Sequence, residues 1–326
     1  MSAPLSEIAD QLKRRSNLLL LTHEHPDGDA IGSLIGLHRI LLTAGIQSEV
    51  LVDPEDAPAA EYRFLIPEAG VVESLPTDLS STTLVILDSG NIERSAAGVD
   101  GLEADYIINI DHHHDNTMFG TLNHLDSDAS CTAEIVWSLA AELGAEVDEL
   151  ASKALYIGLV TDTGRFMYSN TGPVAHLMAA DLIKRGVETA PMFRRIYEGV
   201  PEGRAALLGR ALSKIQRHSE GAVTLVFLTR ADFEETGAID GWSEGVIDHL
   251  RAVEGTKVAA VIREPSATPE NRRISLRAAV DDVDVSAIAR AGGGGGHPGA
   301  AGFSSTLEPS ELISFIVDSA VEAGAR

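Results

Sequence analysis

The stretch Asn17–Ser33, NLLLLTHEHPDGDAIGS, decides the fold. It opens on an apolar run, Leu18–Leu21, short enough for a buried strand. A polar turn follows, His23-Glu24-His25-Pro26-Asp27-Gly28-Asp29, in which Pro26 and Gly28 fix the bend. Beyond it Ile31, Leu34, Ile35, Leu37 and Leu41 recur at helical spacing. The reading is strand, loop, helix. One imidazole, His23, and two carboxylates, Asp27 and Asp29, sit on the loop at the C-terminal end of the strand. In open α/β sheets that end is where ligands bind. Carboxylate oxygens suit hard divalent cations, and Mn²⁺ also accepts imidazole. Asp29 has a second reading, as the N-cap of a helix that begins near Ala30.

Working outward, other strands stop in the same way. Thr83–Leu87 is an apolar run that ends at Asp88, and Asp105–Ile110 ends at Asp111-His112-His113-His114. A parallel sheet sets the C-terminal ends of its strands along one edge, so these side chains are expected to converge. A helix over Asp148–Val160 leads into Thr161-Asp162-Thr163-Gly164, adding a fourth carboxylate at an element boundary. Residues 1–16 read as an amphipathic helix. Ser48–Val52 reads as a strand, Pro54–Pro76 as a loop with a short helix, and Thr132–Leu143 and Pro173–Lys184 as helices.

The chain has 326 residues, of which 44% are hydrophobic, enough for two domains with cores of their own. The expected division is 1–187 for a parallel-sheet α/β domain, 188–218 for a helical linker, and 219–326 for a smaller α/β domain. The second domain has strand patterns at Ala222–Leu228, Lys257–Ile262 and Arg273–Ala278, and helical ones at Trp242–Ala252, Val285–Arg290 and Pro309–Ala323. No apolar run is long enough to span a membrane, and the N-terminus lacks the order of a secretory signal, so the expectation is a cytoplasmic protein with no membrane partner. The single cysteine, Cys131, excludes an internal disulfide and a Cys-rich zinc site. A net charge of −24 repels long polyanions and argues against a protein that coats duplex nucleic acid. It leaves room for a small anionic substrate held by cations and a few arginines.

The collected candidates are His23, Asp27, Asp29, Asp88, His112, His113 and Asp162. Such a set suffices for two divalent ions with a carboxylate bridging. Two ions roughly 3.5–4 Å apart clamp a phosphoryl group for in-line displacement by an activated water. Each member also has a plainer reading: Asp88 and Asp162 as helix caps, Asp111 as an acceptor that supports a neighbour. His25 and His114 flank the motifs and are not expected as ligands. A second signal is Gly292–Phe303, GGGGGHPGAAGF, whose backbone N–H groups can approach an anion. His297 and Arg277 are candidate phosphate contacts there. The alternatives, a flexible loop and a solvated arginine, stay open.

These residues resemble the DHH/DHHA1 phosphoesterase superfamily. The match lies in HxxPDxD at His23–Asp29, the strand-end Asp88, Asp111-His112-His113, Thr161-Asp162-Thr163-Gly164 and the GGGHP run at Gly294–Pro298. The two-domain length is similar to the nanoRNase/pAp-phosphatase subfamily, which includes phosphodiesterases for cyclic di-AMP and its linear product. The resemblance implies two Mn²⁺ ions, with Mg²⁺ or another divalent ion as the alternative. His23 and Asp27 hold one and Asp29 and His112 the other; Asp88 bridges, and Asp162 completes the second site. His113 and Asp111 are the implied catalytic pair, with His113 facing the substrate phosphate. Asn116, Arg277, Gly294, Gly295, Gly296 and His297 are implied at the substrate, Ser130–Glu134 at the substrate or behind the ligands, and the active cleft between the domains. The implied substrates are short RNA, pAp, and linear or cyclic di-AMP. A homodimer through the first domain is left open by analogy. Three other functions share parts of this pattern. A manganese-dependent inorganic pyrophosphatase lacks the glycine-rich run. A RecJ-like exonuclease carries an added oligonucleotide-binding domain. A non-catalytic nucleotide sensor loses ligands.

Overall fold

Four leucines in a row, Leu18–Leu21, are all buried because two different cores lie on the two faces of one strand. The computed structural model describes every residue except 1, 68–69, 77–78, 96–103, 105, 281 and 326. The chain divides into two units, Met1–Glu198 and Gly199–Arg326.

In the first unit the order is α1 (Leu5–Arg14), β1 (Leu18–Leu21), α2 (Gly28–Thr43), β2 (Ser48–Leu51), β3 (Val71–Val72), β4 (Thr83–Leu87), β5 (Tyr106–Asp111), β6 (Leu122–Leu125), α3 (Thr132–Leu143), α4 (Glu149–Asp162), α5 (Pro173–Lys184) and α6 (Thr189–Tyr197). The sheet order is β3-β2-β1-β4-β5-β6, parallel throughout. Leu18, Leu20, Val85, Leu87, Ile108 and Ile110 face the helical core, while Leu19, Leu21, Leu84 and Ile86 pack with Leu51 and Leu79 on the other side. Because β1, β4 and β5 are neighbours in register, the loops after Leu21, Leu87 and Asp111 share one edge.

Helices α2 and α4 approach through a stripe of small residues. A Cβ at Gly32 would lie 2.5 Å from Ala154 O, one at Gly36 2.6 Å from a Leu155 methyl, and one at Gly28 2.4 Å from Thr161 Oγ1. Repeating every four residues, the stripe lies on one helical face. It brings the start of α2, with Asp29, against the end of α4, with Asp162.

The second unit comprises α7 (Glu202–Ser213), β7 (Gln216–His218), β8 (Val223–Leu228), α8 (Arg230–Thr236), α9 (Val246–Arg251), β9 (Val258–Arg263), β10 (Arg272–Ala278), α10 (Val285–Ala291), β11 (Gly295–His297), β12 (Ala300–Ser305) and α11 (Pro309–Glu322). Its sheet, β11-β12-β10-β9-β8-β7, is antiparallel except for the β8/β9 pair. One face packs against α10 and α11, the other against α7, α8 and α9.

Several expectations change. Helix α2 starts at Gly28, and its N-cap is Asp27, whose Oδ1 accepts from the N–H groups of Asp29 and Ala30, so Asp29 is not the cap. The Pro54–Pro76 loop contains β3 as well as a short 3₁₀ turn at Arg63–Leu65. Residues 188–218, expected as a helical linker, hold α6 and α7 and end in the strand β7. Met192 of α6 is buried in the first core, and Leu207 and Ala211 of α7 are buried in the second. The helix expected over Trp242–Ala252 is broken at Gly245, whose φ of +85° separates a 3₁₀ turn from α9. The strand expected from Asp105 is seen from Tyr106, since Asp105 lies outside the described residues. β6 and α8 were not expected. A capping box between Thr229 and Asp232, with Gly237 as the stop, was the available signal for α8. No helix among the described residues is long and apolar enough to cross a membrane.

The α2–α4 contact yields a stability prediction. Gly32→Ala gains up to about 1 kcal/mol of helix propensity but drives a methyl into a backbone carbonyl, and overpacking costs about 1–3 kcal/mol. The expected result is a lower denaturation midpoint; an unchanged or raised midpoint in a denaturant titration contradicts the close approach.

Candidate metal centre

Each candidate ligand is set by the end of an element. His23 follows β1, Asp88 follows β4, His112 follows β5, Asp27 caps α2, Asp29 lies in its first turn, and Asp162 is the last residue of α4. Asp88 takes φ of +56°, a left-handed conformation that costs a non-glycine residue about 1–3 kcal/mol and is held by its surroundings. The carboxylate is turned back over the sheet edge and is 3% exposed.

Among the described residues the side chains gather into three overlapping groups of three donors: His23 with Asp27 and Asp88, Asp29 with His112 and Asp162, and Asp88 with His112 and His113. Within each group the donor atoms lie within 4.8 Å of one another. The two oxygens of Asp88 divide between the groups. Oδ2 is 3.7 Å from His23 Nε2, and Oδ1 is 3.8 Å from His112 Nε2. His112 Nε2 is 3.9 Å from Asp162 Oδ2. These separations exceed hydrogen-bond length, so the groups face one another without bonding. His23 Nδ1 is 2.7 Å from Glu24 O, and His112 Nδ1 is 3.4 Å from Ala129 O. A carbonyl at Nδ1 favours the proton there and leaves Nε2 available to a cation.

The electrostatics fit a cation pair. Burial pushes the Asp29 carboxyl up to about 7, and the Asp88 charge adds to it. Asp88 is likewise raised to about 7 by burial and by Asp27, and Asp162 to about 7 by burial and by Asp29. Burial pulls His112 down, but the Asp29, Asp88 and Asp162 charges outweigh it, and its net shift is upward. Such carboxylates stay ionised together at neutral pH when positive charge joins them. A donor set of imidazoles and carboxylates suits a divalent ion such as Mn²⁺.

His113 is held differently. Its Nδ1 lies 2.8 Å from Asp111 Oδ1 and 3.7 Å from Asp88 Oδ1. The hydrogen bond with Asp111 raises His113 to about 9, so at neutral pH both ring nitrogens carry protons. Asp111 is fully buried. Burial pushes it up, but the His113 hydrogen bond and charge and the Asn116 hydrogen bond bring it below the ordinary carboxylate value. Asn116 Nδ2 donates to Asp111 Oδ2 at 2.6 Å and to Asn109 Oδ1 at 2.8 Å, and its Oδ1 accepts from Met118 N at 2.6 Å. Expected at the substrate, Asn116 instead commits its amide to fixing Asp111. His25 turns to Asp56, with Nδ1 2.6 Å from Oδ1, and enters none of these groups. Cys131 is buried at the start of α3, and burial raises its thiol well above the ordinary range.

In the second unit the glycine run forms the β11–β12 hairpin. A Cβ at Gly294 would lie 2.2 Å from Gly302 O, and Gly296 takes φ of +134°. These glycines are needed for close backbone packing, which accounts for part of the motif on structural grounds. Ala300 pairs with His297 on one side and Arg277 on the other, so both side chains share one sheet face across a single methyl. Gly295 and His297 are exposed.

Comparison with known proteins follows the same division. Residues 17–159 match the DHH family N-terminal domain, and residues 220–322 match the DHHA1 domain. The chain is 34% identical over 300 residues to the bifunctional oligoribonuclease and PAP phosphatase NrnA of Thermus thermophilus, covering 90% of this chain and 86% of that protein. The Bacillus subtilis protein of the same name is 24% identical, with 92% of each chain covered. A cyclic-di-AMP phosphodiesterase, GdpP of Geobacillus thermodenitrificans, is 25% identical over 89% of this chain and 45% of its own length. The fold matches an exopolyphosphatase-related protein from Bacteroides fragilis with a TM-score of 0.87 at 22% identity, covering 98% of this chain and 95% of that one. With both domain models in chain order and a relative above 30% identity along most of its length, the chain belongs to the DHH/DHHA1 family of metal-dependent phosphoesterases.

Proposed function

We propose that the chain hydrolyses phosphate esters of very small nucleotides: pAp, oligoribonucleotides of a few units, and linear or cyclic di-AMP. The observation that carries this reading is the donor group His23/Asp27/Asp88 beside the group Asp29/His112/Asp162, with the two oxygens of Asp88 facing His23 on one side and His112 on the other. His23 and Asp27 would hold one divalent cation and Asp29, His112 and Asp162 a second, with Asp88 available to both. Mn²⁺ is the favoured ion because two imidazoles belong to the set. When bound, such a pair lowers the pKa of water and neutralises charge that builds on phosphoryl oxygens.

The protein's own groups do the rest. His113, protonated and steered by Asp111, presents its outer N–H to the substrate phosphate and gives a proton to the leaving oxygen. Asn116 holds Asp111 in place. Arg277 and His297, with the N–H groups of Gly294, Gly295 and Gly296, bind a second anionic or nucleoside part of the substrate. The names of the relatives and the acidic surface both support small substrates over long strands.

A side-by-side assay in Mn²⁺, Mg²⁺ and chelator tests the reading, with pAp, pApA, cyclic di-AMP, a five-nucleotide RNA, a long RNA and pyrophosphate. Turnover is expected on the small nucleotides in Mn²⁺ and none in chelator. Faster turnover of pyrophosphate or of the long strand rejects it. Asp88→Asn keeps the shape but removes the shared charge. Its activity falls by more than about 100-fold, beyond what loss of an outer contact to a ligand costs. His113→Gln lowers kcat by about 10²–10⁴-fold while two Mn²⁺ still bind; lost metal stoichiometry makes it a ligand instead.

The raised carboxyls give a pH dependence. Their folded values near 7 lie above the unfolded value of 3.8, so the metal-free fold binds extra protons and loses stability as pH rises from about 4 to 7. Cation binding needs these groups ionised. The rise in Tm on adding Mn²⁺ is therefore small near about pH 5.5 and large near about pH 8. A rise independent of pH contradicts the assignment.

A further inference from the structure

One buried stretch that contains no candidate ligand touches three of the six and reaches a fourth, Asp162, through Asn170. Residues 129–133, Ala-Ser-Cys-Thr-Ala, are each at most 6% exposed. Ala129 O lies 3.4 Å from His112 Nδ1. Ser130 O accepts from Asn170 Nδ2 at 2.8 Å, and the same nitrogen donates to Asp162 O and Oδ2, each at 3.1 Å. Thr132 N donates to Asp29 Oδ2 at 2.7 Å, and Ala133 N to Asp29 Oδ1 at 3.0 Å. Thr132 Oγ1 donates to Asp88 Oδ1 at 2.9 Å.

The other group is held by separate means. His23 rests on Glu24 O in the loop, and Asp27 accepts from the Asp29 and Ala30 N–H groups in the first turn of α2. Asp88 faces both sides, and Thr132 holds the oxygen that lies toward His112; the oxygen toward His23 is the other one. The bonds from residues 129–133 and Asn170 thus fall on the Asp29/His112/Asp162 side and on the Asp88 oxygen that faces it, and the Asp29 N–H to Asp27 is the one described tie to the other side.

We propose that Thr132 and Asn170 are positioning residues that set the cation affinity of the Asp29/His112/Asp162 position independently of the His23/Asp27 position. This rests on the two-cation reading above. The physical reason is that a carboxylate offers several lone-pair directions, and a hydrogen bond to one oxygen selects which of them faces the ion. Removing such an outer partner costs about 10–100-fold in metal affinity. Asn170 is exposed and lies on no helix or strand, so its effect on Asp162 is separable from folding.

The test is Mn²⁺ titration of the full chain above neutral pH, following the free ion by EPR, for the parent, Thr132→Val, Thr132→Ser and Asn170→Ala. The parent takes up two ions. Thr132→Val and Asn170→Ala weaken one of the two binding steps by about 10–100-fold and leave the other unchanged, and Thr132→Ser, which keeps the hydroxyl, restores it. The Mn²⁺ concentration for half-maximal activity rises by the same factor, while kcat at saturating Mn²⁺ stays within a few-fold. Equal weakening of both steps, no weakening, or a serine variant like the valine one overturns the proposal and leaves the two-cation reading intact. If Thr132→Val fails to fold, Asn170→Ala decides alone. A parent that takes up fewer than two ions overturns both.

Discussion

The fold is arranged around a repulsion it does not relieve by itself. Asp29 and Asp88 are buried, half-buried Asp162 lies beside them, and Asp27 adds a fourth carboxylate at the same edge. Hydrogen bonds and two imidazoles offset part of the cost, yet burial and mutual charge still push three of the carboxyls to about 7. Carboxylates concentrated in this way are matched by divalent cations.

What keeps the charges together is ordinary packing. Parallel pairing of β1, β4 and β5 aligns the loops that carry His23, Asp88 and His112. The glycine stripe of α2 lets α4 close on it backbone to backbone, so Asp162 reaches the position opposite Asp29. Gly158 belongs to the same design: a Cβ there would stand 2.7 Å from Asp29 Oδ1. A methyl at such places pushes on a ligand as well as on a helix. Stability and chemistry therefore share the same contacts in the first unit.

Much of the site was legible because its ligands follow strand ends. An apolar run that stops at Asp88 or Asp111 states both the strand and the group it presents, and the loop His23–Asp29 compresses three donors into seven residues. The cap was read one turn-step off, since either Asp27 or Asp29 satisfies the composition rule and only geometry selects Asp27. Asn116 was placed at the substrate because its neighbours are ligands, whereas its amide is used to fix Asp111. Strand β6 escaped because it is half-buried and carries Asn123 and His124. Thr132 was legible only through the resemblance, as part of Ser130–Glu134; its bond to Asp29 spans 103 positions and leaves no local pattern. Supporting contacts of that kind become visible only once the elements are packed.

The most direct measurement is an anomalous difference map from a crystal grown or soaked in Mn²⁺. Two peaks about 3.5–4 Å apart are expected, one against His23 and Asp27 and one against Asp29, His112 and Asp162, with Asp88 between them. A single peak, or peaks away from Asp88, contradicts the account.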